Sequence, residues 1–149
     1  MTLWIDGDSC PQAAMRIALD AHRTQALRVV VIADRQIPMV AKSGARMIRV
    51  AAGSGAVDEF LLRDSRPGDL ALTRDLSLTL RLLERNVVVL NDRGQVWTAQ
   101  EIELRREDAA LMRAMRKGGI APILPRNYSA DDAGKFSLSL SRLTGYKPS

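Results

Sequence analysis

Residues 3–11, LWIDGDSCP, decide the fold and point to a site. Their apolar start predicts a buried first strand, and Pro11 is well placed to open a helix. Asp6 and Asp8 then stand at the carboxyl end of that strand, where open α/β sheets bind their ligands. Two carboxylates about 4 Å apart repel by about 1–4 kcal/mol, a cost that a divalent cation removes. The stretch therefore predicts a site for a hard metal ion or for phosphate chemistry.

Length and composition indicate a single domain over residues 1–149. The 149 residues are 46% hydrophobic and 26% charged, which is ordinary for a globular protein. No apolar stretch approaches the roughly 20 residues of a membrane span, and no signal-peptide pattern opens the chain. The one cysteine cannot form an intramolecular disulfide, which fits a reducing compartment. We therefore expect a cytoplasmic protein without a membrane partner.

Strands and helices alternate along the sequence. After the first strand, apolar runs predict strands at residues 26–33, 46–51, 70–73 and 87–90. Helical spacing predicts helices at residues 11–25, 57–66 and 76–85, and two more in the tail after residue 98. The alternation favours an α/β fold with a central, mostly parallel sheet of about five strands, helices on both faces and a helical C-terminal extension. The strand at 26–33 is predicted to be central, and a loop at 91–94 is predicted to turn a small hairpin.

Aspartates follow the predicted strands or open the helix after one. They are Asp6, Asp8, Asp34, Asp58, Asp75 and Asp92. Because parallel strands all end at one edge of a sheet, these carboxylates are expected to converge on one crevice. Mg²⁺ and Mn²⁺ take oxygen ligands and keep several waters, so a few carboxylates are enough. Taken singly, Asp34, Asp58 and Asp92 also fit caps of helices or turns. Asp69 comes before a predicted strand, at its opposite end from the other aspartates, and is therefore predicted to be a turn residue.

The net charge of +5 is concentrated in the first and last thirds of the chain. Basic flanks around an acid-rich middle suit a polyanionic ligand, although Arg-rich surfaces are also common in GC-rich genomes. In the tail, Arg106, Arg113 and Lys117 fall on one face of a predicted helix. They could contact phosphates of a nucleic acid, and a solvated helix face is the alternative.

Cys10 and Arg16 fit the C-x5-R loop of cysteine phosphatases. That loop wraps an anion with backbone N–H groups and usually contains glycines, whereas PQAAM lies between the two residues here. Asp6 and Asp8 would also repel phosphate and raise the pKa of the thiol. We therefore interpret Cys10 as a small buried apolar residue, and His22, the single histidine, as solvated.

The apolar run followed by D-x-D has two interpretations in phosphate chemistry. In phosphatases of the haloacid-dehalogenase type, Asp6 would be the nucleophile, Asp8 the general acid and Thr73 the strand-end hydroxyl. That family also needs a lysine and an acidic pair at a strand end, but residues 131–132 (DD) fall in a predicted helix and no cap domain is available. In PIN-type nucleases, three or four acids at strand and helix ends hold one or two metal ions, and the chain length also fits.

The sequence as a whole resembles the bacterial YaiI/YqxD family, which is usually grouped with PIN-like domains. The similar segments are residues 4–11 (WIDGDSCP), 57–58 (VD), 68–76 (GDLALTRDL) and 90–94 (LNDRG), with Phe136, Leu140, Arg142 and Leu143 in the last helix. Gly7 and Ser9 replace alanines of the family pattern, and Ser77 and Asp92 replace prolines. The glycine- and proline-rich segment expected near residues 119–125 is much reduced here. The resemblance implies a PIN-like fold and a metal site, without an established substrate.

We interpret the chain as a Mg²⁺- or Mn²⁺-dependent nuclease that acts on phosphodiesters, with RNA favoured. Asp6, Asp58 and Asp75 would hold the metal, and Asp8 would be a further ligand or a base that orients water. The supporting residues are Thr73 and Asn91 around the carboxylates, and Arg74, Arg93, Arg113 and Lys117 for contacts with phosphate or nucleic acid. The alternatives are a metal-dependent phosphatase of the dehalogenase type and a non-catalytic PIN-like domain that binds nucleic acid or protein.

Overall fold

The computed structural model describes residues 1–24, 26–53, 55–119 and 127–149. Its strands are β1 (Thr2–Asp6), β2 (Arg28–Ala33), β3 (Arg46–Arg49), β4 (Leu70–Leu72) and β5 (Val88–Leu90). Its helices are α1 (Gln12–Arg23), α2 (Pro38–Ser43), α3 (Ala56–Asp64), α4 (Leu76–Glu84), α5 (Ala99–Lys117) and α6 (Ala130–Thr144). Strand and helix alternate up to β5, as the sequence predicts.

All five strands pair in parallel, in the order β3-β2-β1-β4-β5. The predicted α/β fold with a parallel five-stranded sheet is therefore confirmed. The central strand is β1, however, and not β2, which lies between β1 and β3. After β3 the chain crosses back over β1 to form β4, and this reversal gives the first strand the middle position. The order of the strands thus switches direction between β1 and β4.

Helices cover both faces of the sheet, because alternate residues of each interior strand point to opposite faces. On one face, Leu3 and Ile5 of β1 pack in a core that includes residues of α1, α2 and α6. On the other face, Trp4 packs in a core with residues of α3, α4 and the start of α5. Leu3 and Ile5 are fully buried and Trp4 is nearly so, which explains why the first strand is apolar throughout.

Three segments differ from the predicted pattern or refine it. The six-residue helix α2, which begins at Pro38 and ends at Gly44 with φ of +78°, was not predicted. The expected hairpin is a single antiparallel bridge between Leu90 and Val96. The two predicted tail helices are α5 and α6, and the reduced glycine–proline segment lies, apart from Gly119, outside the described residues.

No helix within the described ranges is long and apolar enough to cross a bilayer. The longest, α5, has 19 residues and buries only Ile102 among them. Its surface is rich in charged side chains, so it lies against the domain through its first turns and is otherwise exposed.

Candidate functional site

The candidate site lies where the strand order switches, between β1 and β4. Their chain connections leave in opposite directions at this point, which opens a crevice at the carboxyl edge of the sheet. Asp6 is the last residue of β1, while Thr73 and Asp75 follow β4 directly. Leu72 is paired with Ile5 in the register of these two strands, so Asp6 and Thr73 emerge side by side.

Thr73 connects the two aspartates through its hydroxyl group. Its Oγ1 donates a hydrogen bond to Oδ2 of Asp6 over 3.1 Å and accepts one from the backbone N–H of Asp75, also over 3.1 Å. Thr73 is only 2% exposed, so the surrounding packing fixes its side chain. This arrangement orients the Asp6 carboxylate, and the supporting role expected for Thr73 stays a prediction.

Asp75 is also the N-cap of α4. Its Oδ1 accepts a hydrogen bond from the backbone N–H of Leu78 over 2.9 Å, which satisfies one of the free donors at the start of the helix. The cap holds the carboxylate at a fixed position on the edge of the sheet. The same side chain can thus serve the helix with one oxygen and face the crevice with the other.

Asp58 reaches this group from the first turn of α3. Burial raises the pKa of its carboxyl above the ordinary value of 3.8, and the negative charges of Asp75 and Asp6 raise it further, against a smaller opposite effect of Arg81. Asp6 ends β1, Asp58 lies in the first turn of α3 and Asp75 caps α4, so all three belong to the carboxyl edge of the sheet. The three residues predicted as metal ligands come from three different elements of the fold.

Asp8 lies on the β2 side of Asp6. One of its oxygens accepts a hydrogen bond from the backbone N–H of Asp34 over 3.0 Å, and Arg35 lies 3.7 Å from the other. Burial raises the pKa of Asp8, as do the neighbouring Asp34 and Asp6 carboxylates, although the Asp34 backbone N–H opposes the change. Asp34, a further acid predicted at this edge, therefore sits beside Asp8.

Arg81 offsets part of the negative charge at Asp58, but not through an ion pair. Among the described residues, no lysine or arginine lies within 4.0 Å of a carboxylate oxygen of Asp6, Asp58 or Asp75. An oxygen-only, net negative group of this kind suits Mg²⁺ or Mn²⁺. The side chains of the described residues include no group of three or more His, Cys, Asp or Glu that could hold an ion as placed. An ion that binds here through one or two carboxylates, with waters as its other ligands, fits these positions.

A cleft of about 630 Å³ opens beside Asp8, between the loops after β1, β4 and β5, and none of Asp6, Asp58 and Asp75 lines it. Its lining includes Asp8, Thr73, Asn91, Asp92 and Tyr128. The hydroxyl of Tyr128 donates a hydrogen bond to the backbone carbonyl of Asp92 over 2.6 Å, and burial raises the pKa of this phenol to about 12. Tyr128 was missed in the sequence, because nothing in its neighbourhood indicates that the start of the last helix folds back onto this edge.

The arginines predicted to contact phosphate are engaged in ion pairs within the protein. Arg74 pairs with Asp92, which is only 2% exposed, and Arg93 lies 3.6 Å from the buried Asp132. Asn91, predicted beside the carboxylates, shapes the loop after β5, since its side-chain oxygen accepts the backbone N–H groups of Arg93 and Gln95. A phosphate contact by Arg74 or Arg93 would therefore compete with an existing pair.

Arg113 and Lys117 are exposed near the C-terminal end of α5. Within the described part of the chain, no hydrogen bond or ion pair joins them to the aspartates of the site. Their contact with nucleic acid thus stays a prediction, and it is separate from the geometry of the candidate site.

Cys10 and His22 have structural surroundings. Burial raises the pKa of the Cys10 thiol to about 12, with further contributions from Asp92 and Asp6, so the group stays protonated and packs against the core. This environment is the opposite of a reactive thiolate site. His22, expected to be solvated, is half-buried, and its Nδ1 accepts the backbone N–H of Val29 over 3.4 Å.

Comparison with known proteins identifies relatives along nearly the whole chain. A sequence profile of the YaiI/YqxD family, described as uncharacterised, matches residues 4–145. The chain is similar to a UPF0178 protein of Myxococcus xanthus, with 31% identity over 95% of this chain and 93% of the relative. It is also similar to a UPF0178 protein of Treponema pallidum, with 33% identity over 97% of this chain and 81% of the relative. No solved structure gives a significant match.

Proposed function

The chain belongs to the YaiI/YqxD family, and since that family is described as uncharacterised, we propose a function from the carboxylates themselves: a divalent-metal-dependent nuclease. The observation that carries the proposal is the position of Asp6 and Asp75 at the switch point of the sheet, where the Thr73 hydroxyl joins them, with Asp58 in the first turn of α3 at the same edge. Among the described residues, no cationic side chain forms an ion pair with any of the three. Open α/β sheets bind their ligands at this point, and clustered carboxylates without counter-charges favour a hard cation.

Asp6 and Asp75 would hold the metal, with Asp58 reaching it directly or through a water. A bound Mg²⁺ or Mn²⁺ would polarise a phosphodiester and lower the pKa of an attacking water. Thr73 orients Asp6 by its hydrogen bond, and the α4 cap fixes Asp75, so neither carboxylate needs to reorganise when substrate arrives. Asp8 stands beside Asp6, where its carboxylate can orient a water or accept its proton.

RNA is the substrate class that we favour, since a net charge of +5 attracts a polyanion. The cleft lies between three loops and is lined by Asp8 and by Thr73, which hydrogen-bonds to Asp6, so an RNA chain bound in it would lie beside the proposed metal site. The phosphatase alternative lacks the lysine and the cap domain that the dehalogenase type needs, and no feature of the site favours it.

The test is metal-dependent cleavage of single-stranded RNA by the wild type and by Asp6→Asn. We expect the wild type to cleave RNA in Mg²⁺ or Mn²⁺ and not in EDTA. Asp6→Asn is expected to cleave at least about 100-fold more slowly, because the ion and the water that it positions both depend on this carboxylate. Loss of a positioned acid–base group typically costs about 10²–10⁴-fold in rate. Asp108→Asn, which removes an exposed carboxylate of α5, is the matched control and is expected to cut normally.

Three results would reject the nuclease at this site. A wild type that cuts neither RNA nor DNA with either metal leaves only a binding function, and a stable beryllofluoride adduct on Asp6 indicates the phosphatase instead. Equal activity of Asp6→Asn and the wild type would show that any observed cleavage comes from another site or from a contaminant.

A further inference from the structure

A second cleft lies at the opposite edge of the sheet, where the strands begin. It measures about 730 Å³, and its charged lining consists of Arg28, Arg46, Arg63, Arg66, Arg85, Asp64 and Asp69. Arg28 opens β2 and Arg46 opens β3, while Arg66 lies in the turn before β4. Because parallel strands begin at one edge, the topology gathers these distant arginines around one opening, which we call the arginine cleft.

The two aspartates of the arginine cleft are already engaged. Asp64 pairs with Arg63 over 2.8 Å. Asp69 is buried and accepts hydrogen bonds from the indole of Trp4 and from the backbone N–H groups of Thr2 and Arg66. Neither carboxylate is available to neutralise the remaining arginines.

Four arginines of the cleft therefore carry unbalanced charge. Within the described ranges, no Asp or Glu oxygen lies within 4.0 Å of the guanidinium groups of Arg28, Arg46, Arg66 and Arg85. All four side chains are exposed at the rim of the opening. Their mutual repulsion is relieved by an anion between them, as the repulsion of carboxylates is relieved by a cation.

Helix dipoles explain part of this pattern but not all of it. Arg63 lies in the last turn of α3 and Arg85 is the C-cap of α4, where a positive charge stabilises the helix end. Arg28 and Arg46 belong to no helix and are instead the first residues of strands. These two residues are thus the most informative members of the arginine cleft.

We propose that the arginine cleft binds the phosphate backbone of a single-stranded nucleic acid. Guanidinium groups hold phosphates through paired N–H donors, and several of them around an open groove match several phosphates in a row. The aromatic residue of the lining, Trp4, is only 8% exposed and its N–H is committed to Asp69. Bases therefore find little surface to stack on, and binding follows the number of phosphates rather than the base sequence.

This binding surface goes beyond the proposed cleavage and does not depend on it. The aspartates stand at the carboxyl edge of the sheet and the arginine cleft at the amino edge, at the other end of the five-residue strand β1. Phosphate binding by arginines needs no metal, so it can be measured in EDTA, where the proposed nuclease is silent.

The experiment measures the affinity of a labelled single-stranded RNA of about 15 nucleotides, by fluorescence anisotropy in EDTA, at several salt concentrations. Arg28→Gln/Arg46→Gln is expected to weaken binding and to flatten the slope of log K against log salt by about 1.4, at about 0.7 for each lost contact with a single strand. Arg66→Gln/Arg85→Gln is expected to repeat the effect. Arg16→Gln/Lys147→Gln removes the same charge from exposed positions outside the cleft and is expected to keep the wild-type slope.

Each other outcome overturns the proposal. Equal losses of affinity in the cleft variants and in Arg16→Gln/Lys147→Gln would show that RNA binding follows the net charge of the protein and not a particular site. A loss of affinity confined to Arg113→Gln/Lys117→Gln would assign the RNA contact to α5. If tripolyphosphate displaces the labelled RNA as well as unlabelled RNA does at an equal concentration of phosphate groups, the ligand is a small anion. Asp6→Asn separates the two proposals, because Asp6 lies at the other edge of the sheet from the arginine cleft. Its salt dependence of RNA binding is expected to equal that of the wild type, whether or not the wild type cleaves RNA.

Discussion

At the scale of single residues, Asp69 shows how a carboxylate can be buried for stability. It lies at the amino edge of the sheet, in the turn before β4, and is 9% exposed. Burial alone would raise its pKa, but the hydrogen bonds from Trp4, Arg66 and Thr2 outweigh that effect and hold the pKa below the ordinary value of 3.8. The charged form is thus stabilised in the folded state and ties the start of β1 to the turn.

The stability that Asp69 contributes is expected to depend on pH. A lowered pKa means that the contribution is present above about pH 4 and is lost as the pH falls through the lowered value. Asp69→Asn is expected to lower the free energy of unfolding by about 1–3 kcal/mol at pH 7, because buried N–H donors lose an acceptor. Urea denaturation at pH 7 and pH 3 measures this: the gap to the wild type is expected to narrow at pH 3. A gap of the same size at both pH values would contradict the account.

The sequence predicted which aspartates follow strands or begin a helix at the carboxyl edge of the sheet. It did not predict the hydrogen bonds and ion pairs that form there. Asp6, Asp58 and Asp75 follow from the ends of short apolar strands and from the start of a helix. The pairing of Arg74 with Asp92 and the approach of Tyr128 could not be predicted, because they depend on side-chain positions that the pattern of apolar and polar residues does not encode. The turn position of Asp69 was predicted correctly. Its hydrogen bonds were not, because the donors in Thr2 and Trp4 lie 67 and 65 residues away in the sequence.

At the scale of elements, β1 and its connection to α1 are packed without spare volume. Gly7 directly follows β1, and its N–H donates to the carbonyl of Ile32 in β2. A Cβ at this position would lie 2.8 Å from Cγ1 of Val31 and 3.0 Å from Cδ1 of Ile37. Both are core side chains, so only a residue without a side chain lets the loop between Asp6 and Asp8 lie this close to β2.

Gly7→Ala is therefore expected to destabilise the protein by about 1–3 kcal/mol through overpacking. The matched control is Gly134→Ala in α6, where a Cβ would meet nothing within 4 Å, and where alanine is expected to stabilise the helix by up to about 1 kcal/mol. Urea denaturation of both variants measures the two signs. Equal effects, or a neutral Gly7→Ala, would show that the core beside β1 has room that the structure does not indicate.

Elements of strong periodicity were predictable from the sequence, and short or topological features were not. The five strands and α1, α3 and α4 were predicted to within a few residues, and α5 and α6 were predicted as two tail helices without bounds. The helix α2 escaped because six residues hold too few apolar positions to give a period. The central position of β1 depends on the direction in which the chain crosses after β3, and an apolar run alone cannot indicate that direction.

At the scale of the whole molecule, the two edges of the parallel sheet differ in the sign of the charge that the ion pairs of the described residues leave unbalanced. The carboxyl edge collects the aspartates that follow the strands, and the amino edge collects arginines that begin strands or end helices. The two proposals made above rest on opposite ends of this arrangement: a cation at the aspartates and phosphates at the arginine cleft. Both follow from one physical cause, since charges of one sign gathered by the fold are relieved by a ligand of the other sign.

The measurement that tests the central claim most directly is a crystal structure after a soak in Mn²⁺, recorded at the manganese absorption edge. The account predicts an anomalous peak between Asp6 and Asp75, at about 2–4 Å from a carboxylate oxygen or one water further, with Asp58 facing it. The peak is expected to disappear in Asp6→Asn and to remain in Asp108→Asn. Saturating Mn²⁺ without a peak at these aspartates, or with peaks only elsewhere on the protein, would contradict the claim.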